Sequence, residues 1–128
     1  MTEFAMVTLN VHDYDEAIDY YVGKLGFRLL EDTRLDAVKR WVVVAPPSGG
    51  AALLLAKVTT DRQRKRVGDQ TGGRVGFFLY TDDFARDHAA MCDAGVVFEA
   101  PPRHEPYGTV AVFTDLYGNR WDFIEHTR

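Results

Sequence analysis

Residues Phe4–Val11 alternate strictly, with Ala5, Val7, Leu9 and Val11 on one side and Met6, Thr8 and Asn10 on the other. A period of two over this length predicts a strand with one covered face. His12 and Asp13 break the pattern, and Asp13 is placed to cap a helix reaching about Lys24. Ala17, Ile18, Tyr21, Val22 and Leu25 then recur at helical spacing as one buried stripe, and Gly26 suits the left-handed residue that ends such a helix. Strands are expected over Phe27–Glu31, Arg40–Ala45 and Ala51–Val58, the last two joined across Pro46–Gly50.

The pattern then starts again. Thr59–Gly73 reads as a connector carrying Arg62, Arg64, Lys65 and Arg66, a run read as a solvated face. In the strand that follows, Val75, Phe77 and Leu79 oppose Gly76, Phe78 and Tyr80; a helix opens at Asp82-Asp83 and stops at Gly95. Asp13 and Asp82, like Gly26 and Gly95, are separated by 69 positions, the signature of an internal duplication. Val96–Ala100 is a short strand and Pro101–Gly108 a loop. Two β-rich runs, Thr109–Thr114 and Arg120–Glu125, flank Asp115-Leu116-Tyr117-Gly118-Asn119 and form a hairpin. Trp121 and Phe123 share one face of its second strand, with Arg120, Asp122 and Ile124 on the other.

The expectation is an α+β fold of two tandem βαβββ modules, residues 1–58 and 74–128, linked by 59–73 within one structural domain. Each module has its helix on one side of a curled, open sheet, which leaves an inner cavity on the other. Met6, Thr8, Asn10, Leu54, Phe78, Tyr80 and Asp122 are expected to face that cavity. For Trp41 the side stays open, since Trp41-Val42-Val43-Val44 is apolar on both.

Composition narrows the function. With 46% hydrophobic and 27% charged residues the chain can build an ordinary globular core. A formal charge of −4 argues against nucleic acid as a partner. The single cysteine, Cys92, excludes an intrachain disulfide and, at helical spacing with Phe84 and His88, reads as core. No basic or long apolar leader opens the chain, so a cytoplasmic protein without membrane contact is expected. Neither a Ser-His-Asp nor a Cys-His arrangement follows from spacing, and no glycine-rich phosphate loop is present. His12, His88 and His126 read as capping, packing or terminal residues. His104 and Tyr107 lie on a loop leading into the hairpin and are the more interesting candidates.

The paired segments Asp13…Ala17-Ile18-Asp19-Tyr20-Tyr21…Leu25-Gly26-Phe27 and Asp115–Glu125 resemble the vicinal oxygen chelate superfamily, which includes glyoxalase I, bleomycin-resistance proteins and extradiol dioxygenases. The resemblance implies a homodimer with shared concave binding grooves. It also implies four metal positions, one on the first and one on the last strand of each module. In this sequence they fall at Met6, Leu54, Gly76 and Asp122, of which only Asp122 offers a hard donor. One carboxylate does not hold a divalent ion against water. The expectation is therefore a protein with no metal, no cofactor and no catalytic residue that sequesters a bulky aromatic natural product or antibiotic, as in the bleomycin-resistance branch. Met6, Asn10, Trp41, Leu54, Phe78, Tyr80, His104, Tyr107 and Asp122 are its candidate contacts. The alternative is a lyase or isomerase of the glyoxalase type with Asp122 or His104 as base.

Overall fold

Leu9 and Val11 are fully buried in strand β1, Met6–Val11, in a computed structural model that describes residues 1–127. The expected apolar face is shorter than the alternation implies. Ala5 lies outside the strand, and Val7 stays 45% exposed. The reason is position: β1 is the edge of a four-stranded sheet ordered β1–β4–β3–β2, and the helix packs on β3 and β4. β2 (Arg28–Arg34), β3 (Arg40–Ala45) and β4 (Ala52–Lys57) run antiparallel in turn, while β4 lies parallel to β1. The edge strand β2 is exposed throughout and extends three residues past the expected end.

Between β1 and β2, Asp13 accepts the Glu16 backbone N–H at 2.9 Å and caps helix α1, Tyr14–Ile18. The helix then widens into a π-helical turn over Asp19–Lys24 before Gly26 takes φ +74°. Tyr21, which the stripe anticipates, is buried edge-on against Tyr20 at 5.3 Å and beside Phe27 at 5.5 Å. Tyr14 and Tyr20 are buried as well, so the covered face is broader than the stripe. A short helix α2, Asp61–Arg64, with Thr60 as its cap, interrupts the expected linker and belongs to this first unit, Met1–Val67.

The second unit begins at Gly68. It holds β5 (Val75–Tyr80), helix α3 (Phe84–Asp93), β6 (Val97–Phe98), β7 (Arg103–Glu105), β8 (Gly108–Thr114) and β9 (Arg120–His126). The sheet order is β5–β9–β8–β6. Strand β7, which sequence reads as loop, pairs with β8 at Val110–Gly108 because β6 is only two residues long and leaves that stretch of β8 open. Trp121 stacks on Phe77 at 4.7 Å and on Phe113 at 5.7 Å, and Phe84 of α3 meets Phe123 at 5.1 Å. One face of the sheet is thus an aromatic layer under the helix. Glu125 anchors that helix by accepting the Phe84 N–H at 2.6 Å.

The duplication is real but its register needs correcting. The second cap is Asp83, which accepts the Arg86 N–H at 3.1 Å, not Asp82. Thirteen positions separate Asp13 from Gly26 and twelve separate Asp83 from Gly95. The extra residue of the first module is absorbed by the π-helical turn, the usual way a helix accommodates one insertion. Cys92 is also corrected: it is exposed, because Met91 occupies the inward position of that turn.

Candidate functional site

The strand alternation of β1 and β4 puts Thr8 opposite Leu54 and Asn10 opposite Ala56, on the sheet face away from α1. The antiparallel step to β3 pairs Leu54 with Val43 and so carries Trp41 to the same face. That fixes the side left open by the sequence. Val43, Ala45 and Ala52 are buried there, with Met6, Trp41 and Leu54 packed against them. This is a second apolar layer, distinct from the one under the helix.

Where β1 and β4 end and β3 begins, the layer opens into a cavity of about 520 Å³ walled by Asn10, Thr8, Trp41, Leu54 and Ala56. Its rim comes from two segments the sequence did not connect. One is the β2–β3 hairpin tip, Asp36, Val38 and Lys39; the other is Thr59 and Gln63 at the start of α2. The tip is held by Asp36, whose Oδ1 accepts the N–H groups of Val38 at 2.8 Å and Lys39 at 2.7 Å. Those backbone bonds, Lys39 first, keep the Asp36 carboxyl below the ordinary carboxylate range. Gln63 caps the other rim, accepting from the Thr59 backbone at 2.7 Å.

Arg40 fixes the aromatic wall. Its guanidinium donates to Asp32 at 3.1 and 2.7 Å and to Asp15 at 2.9 Å, and lies 5.1 Å over the Tyr14 ring. Its backbone N–H donates to the Tyr14 hydroxyl at 3.1 Å. With both ends of Arg40 tied to α1 and β2, the next residue, Trp41, has little freedom. The hydrogen bonds from Arg40 hold the Asp32 carboxyl low and raise the guanidinium's own pKa further.

In the second module Asp122 stands directly between Phe78 of β5 and Val112 of β8, so these three share the face away from α3. Tyr80 lies on that face too, edge-on to His126 at 4.5 Å. Phe78 is 59% and Tyr80 65% exposed, whereas Asp122 is half-buried. Among the described residues no arginine forms an ion pair with Asp122: Arg120 is bound bidentately by Glu99 at 2.7 and 2.8 Å and acts on Asp122 only across space, and Arg103 reaches Glu105. His104 sits apart from this group. It pairs with Thr109, on the Ala111 and Phe113 side of β8, and its Nδ1 lies 3.2 Å from the Thr109 hydroxyl. Tyr107 is half-exposed in the β7–β8 turn.

Of the expected contacts, Asn10, Trp41 and Leu54 therefore line one cavity, with Met6 behind them in the same layer. Phe78, Tyr80 and Asp122 share one face of the second module's sheet, and His104 belongs to the opposite side of that sheet. Thr8 lines the cavity on the face where the alternation places it, while Asp36, Val38, Lys39 and Gln63 are contacts the sequence reading lacks. The only sequence signal for the tip was Asp36 three residues before Lys39, a turn-forming carboxylate.

The four positions implied for a metal do not fit one. Met6 and Leu54 are packed in an apolar layer. At Gly76 the space a side chain would need is filled by Thr71, whose methyl lies 2.5 Å from where a Cβ would stand. Among the described residues no three His, Cys, Asp or Glu side chains gather in either module. The donor set is one carboxylate and one thioether, and a hard ion requires more.

Residues 3–123 match the family model Glyoxalase/Bleomycin resistance protein/Dioxygenase superfamily. An uncharacterized protein of Shewanella frigidimarina (strain NCIMB 400) is 54% identical over 121 residues, covering 93% of this chain and 90% of its own length. Among solved structures, UcmS2 superposes with a TM-score of 0.83 at 27% identity, covering 97% of this chain and 98% of its own. TnmS3, described as an antibiotic binding protein from Streptomyces sp. CB03234, gives a TM-score of 0.77 at 28% identity, with 99% and 98% covered. No helix among the described residues is long and apolar enough to cross a membrane. The two βαβββ sheets, their helices on one face and the match along nearly the whole chain together mean that this protein belongs to the Glyoxalase/Bleomycin resistance protein/Dioxygenase superfamily.

Proposed function

We propose that this chain binds and sequesters a bulky, partly aromatic small molecule without a metal, in the manner of a drug-binding resistance protein. The observation that carries the reading is the cavity at the end of the first sheet, with the indole of Trp41 as one wall and Asn10 and Thr8 as its polar contacts. A flat ring buried against Trp41 gains roughly 25 cal/mol for each Å² removed from water, and stacking adds to that. Asn10 fixes the orientation. The likeness to TnmS3, itself described as antibiotic binding, supports the ligand class. The binding species is a homodimer with a groove in each subunit and works in the cytoplasm.

Trp41 supplies the test. The other indole, Trp121, is buried between Phe77 and Phe113 and does not line the cavity, so a ligand there touches Trp41 and not Trp121. Titration with planar polycyclic natural products is expected to quench the wild type, to raise its melting temperature, and to show a weaker calorimetric affinity for Trp41→Ala. Added zinc, nickel or chelator is expected to leave the melting temperature where it was. A calorimetric affinity unchanged in Trp41→Ala refutes the cavity as the site. Turnover of a hemithioacetal that disappears in Asp122→Asn refutes sequestration and establishes the glyoxalase-type alternative. Light scattering that finds only monomer refutes the dimer.

A further inference from the structure

Asp122 is the group that the cavity at the first module does not explain. It is a half-buried carboxylate in the middle of a sheet face, directly opposite Phe78 and Val112. No ion pair engages it among the described residues. The nearest candidate, Arg120, is two residues away on the same face, but its guanidinium is held by Glu99 at 2.7 and 2.8 Å and by the Gly73 carbonyl at 3.1 Å. Swinging that guanidinium over Asp122 breaks three bonds to form one or two. The Glu99 carboxyl is correspondingly held low by its bond to Arg120, so the pair stays intact at neutral pH.

Beside the carboxylate stand two rings that the fold leaves largely uncovered, Phe78 at 59% and Tyr80 at 65% exposure. Exposed aromatic faces next to a carboxylate that no described residue bridges, Arg120 acting on it only across space, recognise one chemistry well: a positively charged nitrogen attached to a flat or apolar body. The charge gains a bond to the carboxylate and attraction to the ring faces, and the body covers the rings. An anionic ligand meets repulsion at the same spot, and a neutral one leaves Asp122 partly desolvated without compensation. The net charge of −4 raises the local concentration of cations over anions.

We infer that the second module's open face, Asp122 flanked by Phe78 and Tyr80, selects ligands carrying a protonated amine beside an aromatic ring. The inference rests on the reading of this chain as a binder of aromatic small molecules and adds the charge of the molecule it takes.

Three probes with one ring system separate the two claims: aminomethylanthracene, which is cationic, hydroxymethylanthracene, which is neutral, and anthracenecarboxylate, which is anionic. Each is titrated into the full-length protein at low ionic strength and followed by calorimetry. The cation is expected to bind about tenfold more tightly than the neutral probe, the effect of one charge-assisted bond, and the anion more weakly than either. Asp122→Asn, nearly isosteric, is expected to bring the cation's affinity down to that of the neutral probe. Phe78→Ala, at an exposed position, is expected to weaken all three. Equal affinities across the probes, or a cation preference that survives in Asp122→Asn, overturn the charge selection while leaving small-molecule binding intact. Failure of every probe to bind a protein that melts cooperatively overturns both.

Discussion

Replacing Asp115 by alanine tests how the hairpin that carries Asp122 is held. The Asp115 side chain is only 6% exposed, and its carboxylate closes the turn from inside. Oδ1 accepts the backbone N–H groups of Tyr117 and Asn119, each at 2.9 Å, and Oδ2 accepts the Asn119 side-chain amide at 2.8 Å. Asn119 is itself 4% exposed, so alanine leaves two donors of a buried residue without their acceptor. Each costs about 1–3 kcal/mol, while the better hydrated Tyr117 N–H recovers a water; the expected loss is about 3 kcal/mol. Asparagine keeps one acceptor oxygen and is expected to cost about half as much. Urea unfolding followed by circular dichroism reads both, with the midpoint falling and the slope unchanged. The same turn sets the register of β9 on β8, which puts Asp122 across from Val112, so the cation preference of the probes is expected to weaken in the alanine variant below its melting temperature. A loss under about 0.5 kcal/mol for Asp115→Ala refutes the reasoning, because it means water replaces the carboxylate at no cost.

Acid is expected to loosen the fold at three ion pairs. The carboxyls of Asp32, Asp87 and Glu99 are held below their ordinary values chiefly by hydrogen bonds from Arg40, Arg86 and Arg120 respectively. A depressed carboxyl contributes stability above its unfolded pKa and loses it as pH falls through the lower folded value. The melting temperature is therefore expected to be flat from neutrality to about pH 5 and to fall below about pH 4, and Arg120→Gln is expected to flatten that fall. A fall already complete above pH 5 contradicts the assignment. Gly68→Ala is expected to destabilise by more than about 2 kcal/mol, since the added Cβ meets the Tyr117 carbonyl and φ is +74°; calorimetric melting checks it. Cys92 is exposed, so it is expected to be alkylated by iodoacetamide in the native protein, with Cys92→Ser within about 0.5 kcal/mol of wild type; protection from iodoacetamide contradicts this.

The alternation of polar and apolar residues by itself determined that Leu9 and Val11 face a core, that Trp121 and Phe123 lie opposite Asp122, and that one module follows another. Those facts depend only on local period, which the backbone imposes on any strand. The glycine stops and the Asp13 cap were equally legible, because positive φ and an unsatisfied helix end select few residue types. Tertiary pairing decided the rest. Trp41 sits in a run apolar on both sides, and only the register of β3 on β4 assigns it to the cavity. His104 looked close to the hairpin's open face because a loop was expected, whereas pairing in β7 commits it to the Thr109 side. The cavity rim joins Asp36–Lys39 to Thr59 and Gln63, at least twenty positions further along the chain. A contact between two turns has no period to announce it, so only the folded chain brings it about.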